Sequence, residues 1–134
     1  MYIRPEQNWE SIVTSTPGLI SYQLIIEVTK SQNILVGQLG RFDFPVGRYV
    51  YTGSAKRSLS ARVRRHLKNN KVARWHIDYL LNSDKAHVMG MNFSVQKECT
   101  LNQACDGEIL IPGFGASDCK HKCSSHLRYL GEVN

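Results

Sequence analysis

The chain has 134 residues, 42% hydrophobic and 21% charged, with 17 Lys plus Arg against 11 Asp plus Glu and a formal charge of +6. Such a balance excludes a disordered tail, a collagenous chain and a small disulfide scaffold, and the length predicts one domain over residues 1–134. No apolar run approaches the roughly 18 to 20 residues of a membrane span. The opening MYIRPEQNWESIV carries two acids and no apolar h-region, so no secretory signal is expected and the expected compartment is the cytoplasm.

Residues 1–17 are polar, with scattered Trp9, Ile12 and Val13, and end at the turn signal Pro17-Gly18. Over 21–29, Tyr22, Leu24, Ile26 and Val28 share one face of a strand while Gln23 and Glu27 take the other. A turn at Ser31-Gln32-Asn33 leads to ILVGQLG (34–40), so the two segments predict an antiparallel hairpin. A loop through Phe42, Asp43, Phe44 and Pro45 precedes a third strand, RYVYTG (48–53). Leu59, Val63, His66 and Leu67 make one apolar stripe, which predicts a helix over about 57–67. Further on come a second helix near 74–82, a fourth strand over 86–95, a short helix at 97–105, and a loop-rich tail closing with a small strand at 126–130. The predicted class is α+β: a small, mainly antiparallel sheet of three or four strands flanked by helices.

Charge is concentrated in one place. Residues 56–74 hold eight Lys or Arg and no acid, and the rest of the chain has nine bases against eleven acids. A solvated helix usually mixes signs to gain i,i+4 pairs, whereas this one accepts like-charge repulsion. An anionic polymer is the expected reason, because cations near phosphates release counterions. Nucleic acid is therefore the expected partner and a membrane surface is not, with Lys56, Arg57, Arg64, Arg65, Lys68, Lys71 and Arg74 as phosphate contacts.

The same segment carries the chemistry. Tyr49 and Tyr51 share a strand face, and Gly53 is expected to let the backbone turn sharply at the strand's end. On the helix that follows, with Leu59 at zero, His66 falls near about −20° and Arg62 near about −60°. Both border the buried stripe and lean toward Tyr51, so a phenol, a guanidinium and an imidazole converge in a way that suits phosphate chemistry. In WHID, His76 and Asp78 are two residues apart on a helix and cannot meet, and which of them faces the site stays open. Trp75 and Tyr79 are expected in the core.

YVYTGSA followed by a helix with Arg62 and His66 one turn apart resembles the second half of the GIY-YIG nuclease motif. GRYVYTGSA, LSARVRRHL, WHIDYLL, Glu98-Cys99 and GFGASDC followed by SHL resemble one branch more closely, the small archaeal and bacterial Uri-type GIY-YIG endonucleases. The resemblance spans residues 18–130 and implies the GIY-YIG nuclease fold and metal-dependent hydrolysis of phosphodiester bonds; DNA is favoured over RNA as the substrate, though no sequence feature separates the two. It implies catalytic roles for Tyr22, Tyr51, Arg62 and His66, with Tyr22 most often the residue that deprotonates water and Arg62 on the scissile phosphate. It also implies that Glu98 holds a single Mg²⁺ or Mn²⁺. Where the family has Gly-X-Tyr, this chain reads Ile20-Ser21-Tyr22. That departure makes a catalytically impaired nucleic-acid-binding module the alternative.

All four cysteines lie in the last third, where Cys119, His121 and Cys123 are a possible zinc set with support from Cys99, Cys105 and His126. Because C-x-H-x-C is not a usual ligand spacing, buried thiols are the leading expectation.

Overall fold

The computed structural model describes residues 1–55, 57–69, 71–116, 119 and 123–132. In chain order the elements are β1 (Tyr2–Ile3), α1 (Trp9–Ser15), β2 (Ser21–Val28), β3 (Gln32–Leu35), β4 (Arg41–Phe44), β5 (Gly47–Ser54), α2 (Leu59–His66), α3 (His76–Leu81), β6 (Ala86–Ser94), α4 (Glu98–Gln103) and β7 (Leu127–Gly131). The architecture is α+β: a five-stranded antiparallel sheet in the order β1-β6-β2-β5-β7, a separate β3-β4 hairpin and four short helices.

β2 is the centre of the sheet because its alternation is the most apolar. Tyr22, Leu24, Ile26 and Val28 are all buried, and the strand pairs with β5 on one side and β6 on the other. Residues directly opposite each other share a face. Tyr22 faces Gly53 and Phe93, Leu24 faces Tyr51 and Met91, and Tyr51 in turn faces Leu127 of β7. The core is therefore built on the face that also presents the two tyrosines. Helix α4 packs over β5 and β2, α3 lies beside β6 and β3, and α1 lies against α2.

Several expectations are corrected. β2 does not form a hairpin with the next segment; β3 pairs with β4, in the stretch read as a loop. Both edges of β2 are taken by eight- and nine-residue strands with buried apolar residues, whereas β3 has only four residues and leaves Asn33 and Leu35 exposed. Residues 37–39, expected as strand, form a 3₁₀ turn. Residues 1–17 contribute both β1 and α1, and Trp9 and Val13, one helical turn apart, bury α1 on the core. Five strands thus form the main sheet, against the three or four expected. The helices over 59–66, 76–81 and 98–103 and the strands over 86–94 and 127–131 fall within a few residues of their predicted places.

Gly53 acts differently from its predicted role. Its φ is not positive; what it supplies is space, since a Cβ there would stand 2.5 Å from the Tyr22 hydroxyl oxygen. Gly53→Ala is expected to destabilise the fold by about 1–3 kcal/mol, because the buried Tyr22 ring must shift from its packed place and strain its hydrogen bond to His66. Urea unfolding, with the slope unchanged and the midpoint lowered, checks this.

Candidate active site

A cleft of about 360 Å³ opens where the ends of β2 and β5 meet α2, α3 and α4. Tyr22, Tyr51, Arg62 and Glu98 all line it, from four different elements. So do Arg74, Trp75, His76, Cys119 and His126. His66 stands behind the cleft wall, buried, and its Nε2 shares a 2.6 Å hydrogen bond with the Tyr22 hydroxyl. The predicted convergence of phenol, guanidinium and imidazole is present: the His66 ring centroid lies 5.4 Å from that of Tyr22 and 6.0 Å from that of Tyr51. Tyr49 is elsewhere, buried against Phe44 and Tyr129 and donating to the Pro45 carbonyl.

Arg62 is held from two sides. Its Nη1 donates to the Ser54 carbonyl at 2.8 Å, and its guanidinium carbon sits 4.8 Å from the Trp75 ring centroid. Arg65 and Arg74 also stand over that indole, at 4.4 and 5.9 Å. An indole face stabilises cations electrostatically and gathers here three guanidinium groups that would otherwise repel one another. Trp75, expected as a core residue, is thus only partly buried and forms part of the cleft wall.

His76 and Asp78 divide as helix geometry requires. His76 faces the cleft, and its Nδ1 accepts the Gly115 N–H at 2.8 Å. Asp78 is buried under the start of α3, where its Oδ2 accepts from the backbone N–H groups of Arg74 and Trp75 and its Oδ1 from Arg65. This carboxylate satisfies the helix N-terminus and fixes the segment that carries Arg74, Trp75 and His76.

The basic residues separate into three groups. Arg57 and Lys68 are exposed, and Arg64 is exposed with a 2.8 Å ion pair to Glu10 that solvent weakens. Lys71 is half-buried, donating to the Lys68 carbonyl, and Arg65 is turned inward onto Asp78 and the Val72 carbonyl. Arg74 reaches the cleft. Lys56 and His121 lie outside the described residues.

Burial dominates the electrostatics. It pushes both the Tyr22 and Tyr51 phenols well above their ordinary range, and the Arg62 charge offsets this only in part. His66 is driven the other way, down to about 3, chiefly by burial, so the imidazole is neutral at pH 7. Its Nδ1 has no hydrogen-bond partner among the described residues. The tautomer with the proton on Nε2 therefore leaves a lone pair, not an N–H, unmatched, and has Nε2–H donating to the Tyr22 oxygen. Because the folded pKa of His66 is depressed, its contribution to stability is complete above the unfolded value of about 6.5 and is lost as pH falls toward 3. Urea unfolding between pH 7.5 and 5 is expected to show wild-type stability falling by up to about 1.4 kcal/mol per pH unit, with the slope reduced in His66→Gln.

Glu98 borders the cleft at 28% side-chain exposure, with Oε2 3.5 Å from His126 Nδ1. Next to it, Cys99, Cys119, Cys123 and His126 place their ligand atoms within 4.8 Å of one another and could hold a metal ion such as zinc. This set shares Cys119 and Cys123 with the one read from the sequence and joins to them Cys99 and His126, while His121 lies outside the described residues. None of the four cysteines is buried, contrary to the leading expectation. Neither Cys99 nor His126 could be placed by spacing alone, because the fold brings them in from α4 and from the residue before β7. Among the described residues, no helix is long and apolar enough to cross a membrane.

A family model described as Domain of unknown function DUF123 matches residues 21–134. No curated protein and no solved structure matches the chain.

Proposed function

The chain belongs to the DUF123 family, and we propose that it is a metal-dependent endonuclease that hydrolyses phosphodiester bonds, DNA being the favoured substrate, in the manner of the GIY-YIG nucleases of Uri type that it resembles. The observation that carries this reading is the meeting of Tyr22, Tyr51, Arg62 and Glu98 in one cleft, although they come from four elements well separated in sequence. Arg74 adds a second guanidinium to the cleft, and Arg57, Arg64 and Lys68 are exposed on or near α2.

Among the described residues lining the cleft Glu98 is the one carboxylate, and one carboxylate completed by waters and substrate oxygens suits Mg²⁺ or Mn²⁺. When bound, such an ion supplies a Lewis acid and lowers the pKa of coordinated water. The chain's own residues do the rest. Arg62, held by Ser54 and Trp75, takes two phosphate oxygens bidentately and offsets the charge that grows on them as water attacks phosphorus and the sugar oxygen departs, taking a proton from solvent. Tyr51 offers its phenol to the phosphate. Tyr22 first loses its own proton to solvent, the Nε2–H of His66 holds the phenolate charge, and the phenolate then takes the proton of the attacking water and returns to the neutral phenol. Burial works against forming that phenolate, and Arg62 favours it.

Glu98→Gln tests the assignment of the ion. Cleavage at saturating Mg²⁺ is expected to fall about 10²-fold, with the thermal midpoint unchanged within a few degrees. Full activity in that variant overturns the role given to Glu98.

The raised phenols and Ile20 in place of the family's glycine favour a second reading, a nucleic-acid-binding module without turnover. Ile20 itself is accommodated in the backbone, its N–H donating to the Ser94 carbonyl and its carbonyl accepting from the Ala55 N–H, so the departure leaves the fold intact. Tight, salt-sensitive binding with no cleavage under Mg²⁺ or Mn²⁺ selects this reading.

A further inference from the structure

The segment from Ala104 to His126 holds no helix and no strand among its described residues, yet it forms one wall of the cleft. Polar contacts tie it down: Asn102 Nδ2 donates to the Ser125 carbonyl at 2.8 Å, and Glu108 and Tyr129 of β7 exchange backbone hydrogen bonds. At the point where this segment meets α4, three thiols and an imidazole come together.

Tetrahedral zinc bonds thiolates at about 2.3 Å and imidazole nitrogen at about 2.0–2.1 Å, so its ligand atoms stand roughly 3.4–3.8 Å apart. The Cys99 and Cys119 sulfurs are already 3.4 Å apart, and no pair in the set exceeds 4.8 Å. Closing the set around an ion takes a contraction of about 1 Å at its widest. His126 supplies an independent observation. Its side chain is 2% exposed, and neither ring nitrogen makes a hydrogen bond among the described residues. A buried imidazole left so is costly, and a metal bond to one nitrogen removes that cost. Glu98 beside Nδ1 is the kind of carboxylate that fixes the tautomer of a ligating histidine. Gln103 completes the surroundings, its Nε2 3.5 Å from Cys123 Sγ.

We propose that Cys99, Cys119, Cys123 and His126 form a structural zinc site that fastens the C-terminal segment to α4 and so holds Glu98 at the edge of the cleft. Three thiolates and one imidazole select zinc over Mg²⁺ or Ca²⁺, and four protein ligands leave no open position for substrate. Cys119 and Cys123 are separated by three residues, a usual spacing for a zinc-binding pair. The site is independent of the nuclease reading, since zinc can be structural whether or not the cleft cuts DNA.

The test uses the full chain, purified under reducing conditions, loaded with zinc and dialysed. Elemental analysis is expected to give one zinc per chain. Replacement by Co²⁺ is expected to give the intense visible bands of a tetrahedral thiolate site. Cys123→Ser loses both signals, whereas Cys105→Ser, outside the cluster, and Glu98→Gln keep them. Should Cys123→Ser fail to fold, titrating the folded wild type with a thiol-specific mercurial gives the same answer: zinc leaves in step with thiol modification. Zinc below about a tenth of an equivalent, a weak octahedral Co²⁺ spectrum, or a Cys99–Cys119 disulfide in the reduced preparation overturns the proposal. A protein that takes up no zinc on loading yet still cleaves DNA overturns the zinc site and leaves the nuclease reading intact.

Discussion

Replacing Arg62 with alanine is expected to lower the rate of DNA cleavage by about 10²–10³-fold while leaving the fold intact. A guanidinium matters most where charge grows in the transition state and where it need not be reoriented as that happens. Both conditions hold here. The Ser54 carbonyl accepts from Nη1, the Trp75 indole lies under the guanidinium, and the cleft is walled by buried tyrosines that keep the local dielectric low. Removing the side chain loses one hydrogen bond and one cation–π contact, which together cost about 1–2 kcal/mol of stability. Arg62→Lys keeps the charge but not the planar fork and is expected to recover only part of the rate. Single-turnover cleavage with enzyme in excess, beside a thermal melt of each variant, separates the two effects. A wild-type rate in Arg62→Ala contradicts the assignment.

Asp78→Ala is expected to cost about 3–5 kcal/mol of stability, the largest effect of any single replacement considered. The carboxylate is buried and accepts three hydrogen bonds: two from the backbone N–H groups of Arg74 and Trp75, and one from Arg65. Truncation leaves all three donors unmatched and leaves Arg65, with its side chain 21% exposed, without its counterion. Burial by itself would raise the pKa of Asp78, but these donors outweigh it and hold the group below its ordinary value. Its stabilisation is therefore present in full at neutral pH and is lost as pH falls through its lowered folded value, below about 4. Urea unfolding at pH 7 measures the loss. The exposed Arg64–Glu10 pair is the contrast, since Arg64→Ala should change stability by no more than about 0.5 kcal/mol. Equal losses at the two sites contradict this account of Asp78.

Local pattern carried much of the fold. The alternation of Tyr22, Leu24, Ile26 and Val28 identified the central strand, and the Leu59, Val63, His66 spacing identified both α2 and the inward lean of Arg62. The strand's partners were not legible in this way. A hairpin with residues 34–40 is the nearest solution in sequence, but β5 and β6 offer longer runs of buried residues, and non-local pairing won. α1 was missed because Trp9 and Val13 are its only buried residues, too few to set a period.

The site divides along the same line. Arg62 and His66 are one turn apart and could be read together. Trp75 acts as a platform for cations only because α3 starts beside α2, and the inward turn of Arg65 depends on Asp78, thirteen residues away. Gly53 was read as a turn residue, yet its importance lies in the ring of Tyr22 on the next strand. In the cysteine cluster the Cys119-x₃-Cys123 spacing is visible in the sequence. His126, three residues beyond Cys123, and Cys99 join the pair only through the packing of α4 on the sheet.

The central claim is that this cleft cuts nucleic acid, and the most direct measurement is strand scission by the purified wild-type chain. Labelled single-stranded, duplex, nicked and branched DNA, together with RNA, would be incubated with Mg²⁺, with Mn²⁺, or with neither. The divalent ion would be withheld, not chelated, so that any zinc stays in place. The account predicts cutting of at least one DNA substrate that requires Mg²⁺ or Mn²⁺ and disappears in an Arg62→Ala preparation made in parallel. No cutting of any substrate under either metal, from a protein that still binds DNA in a salt-dependent way, contradicts it.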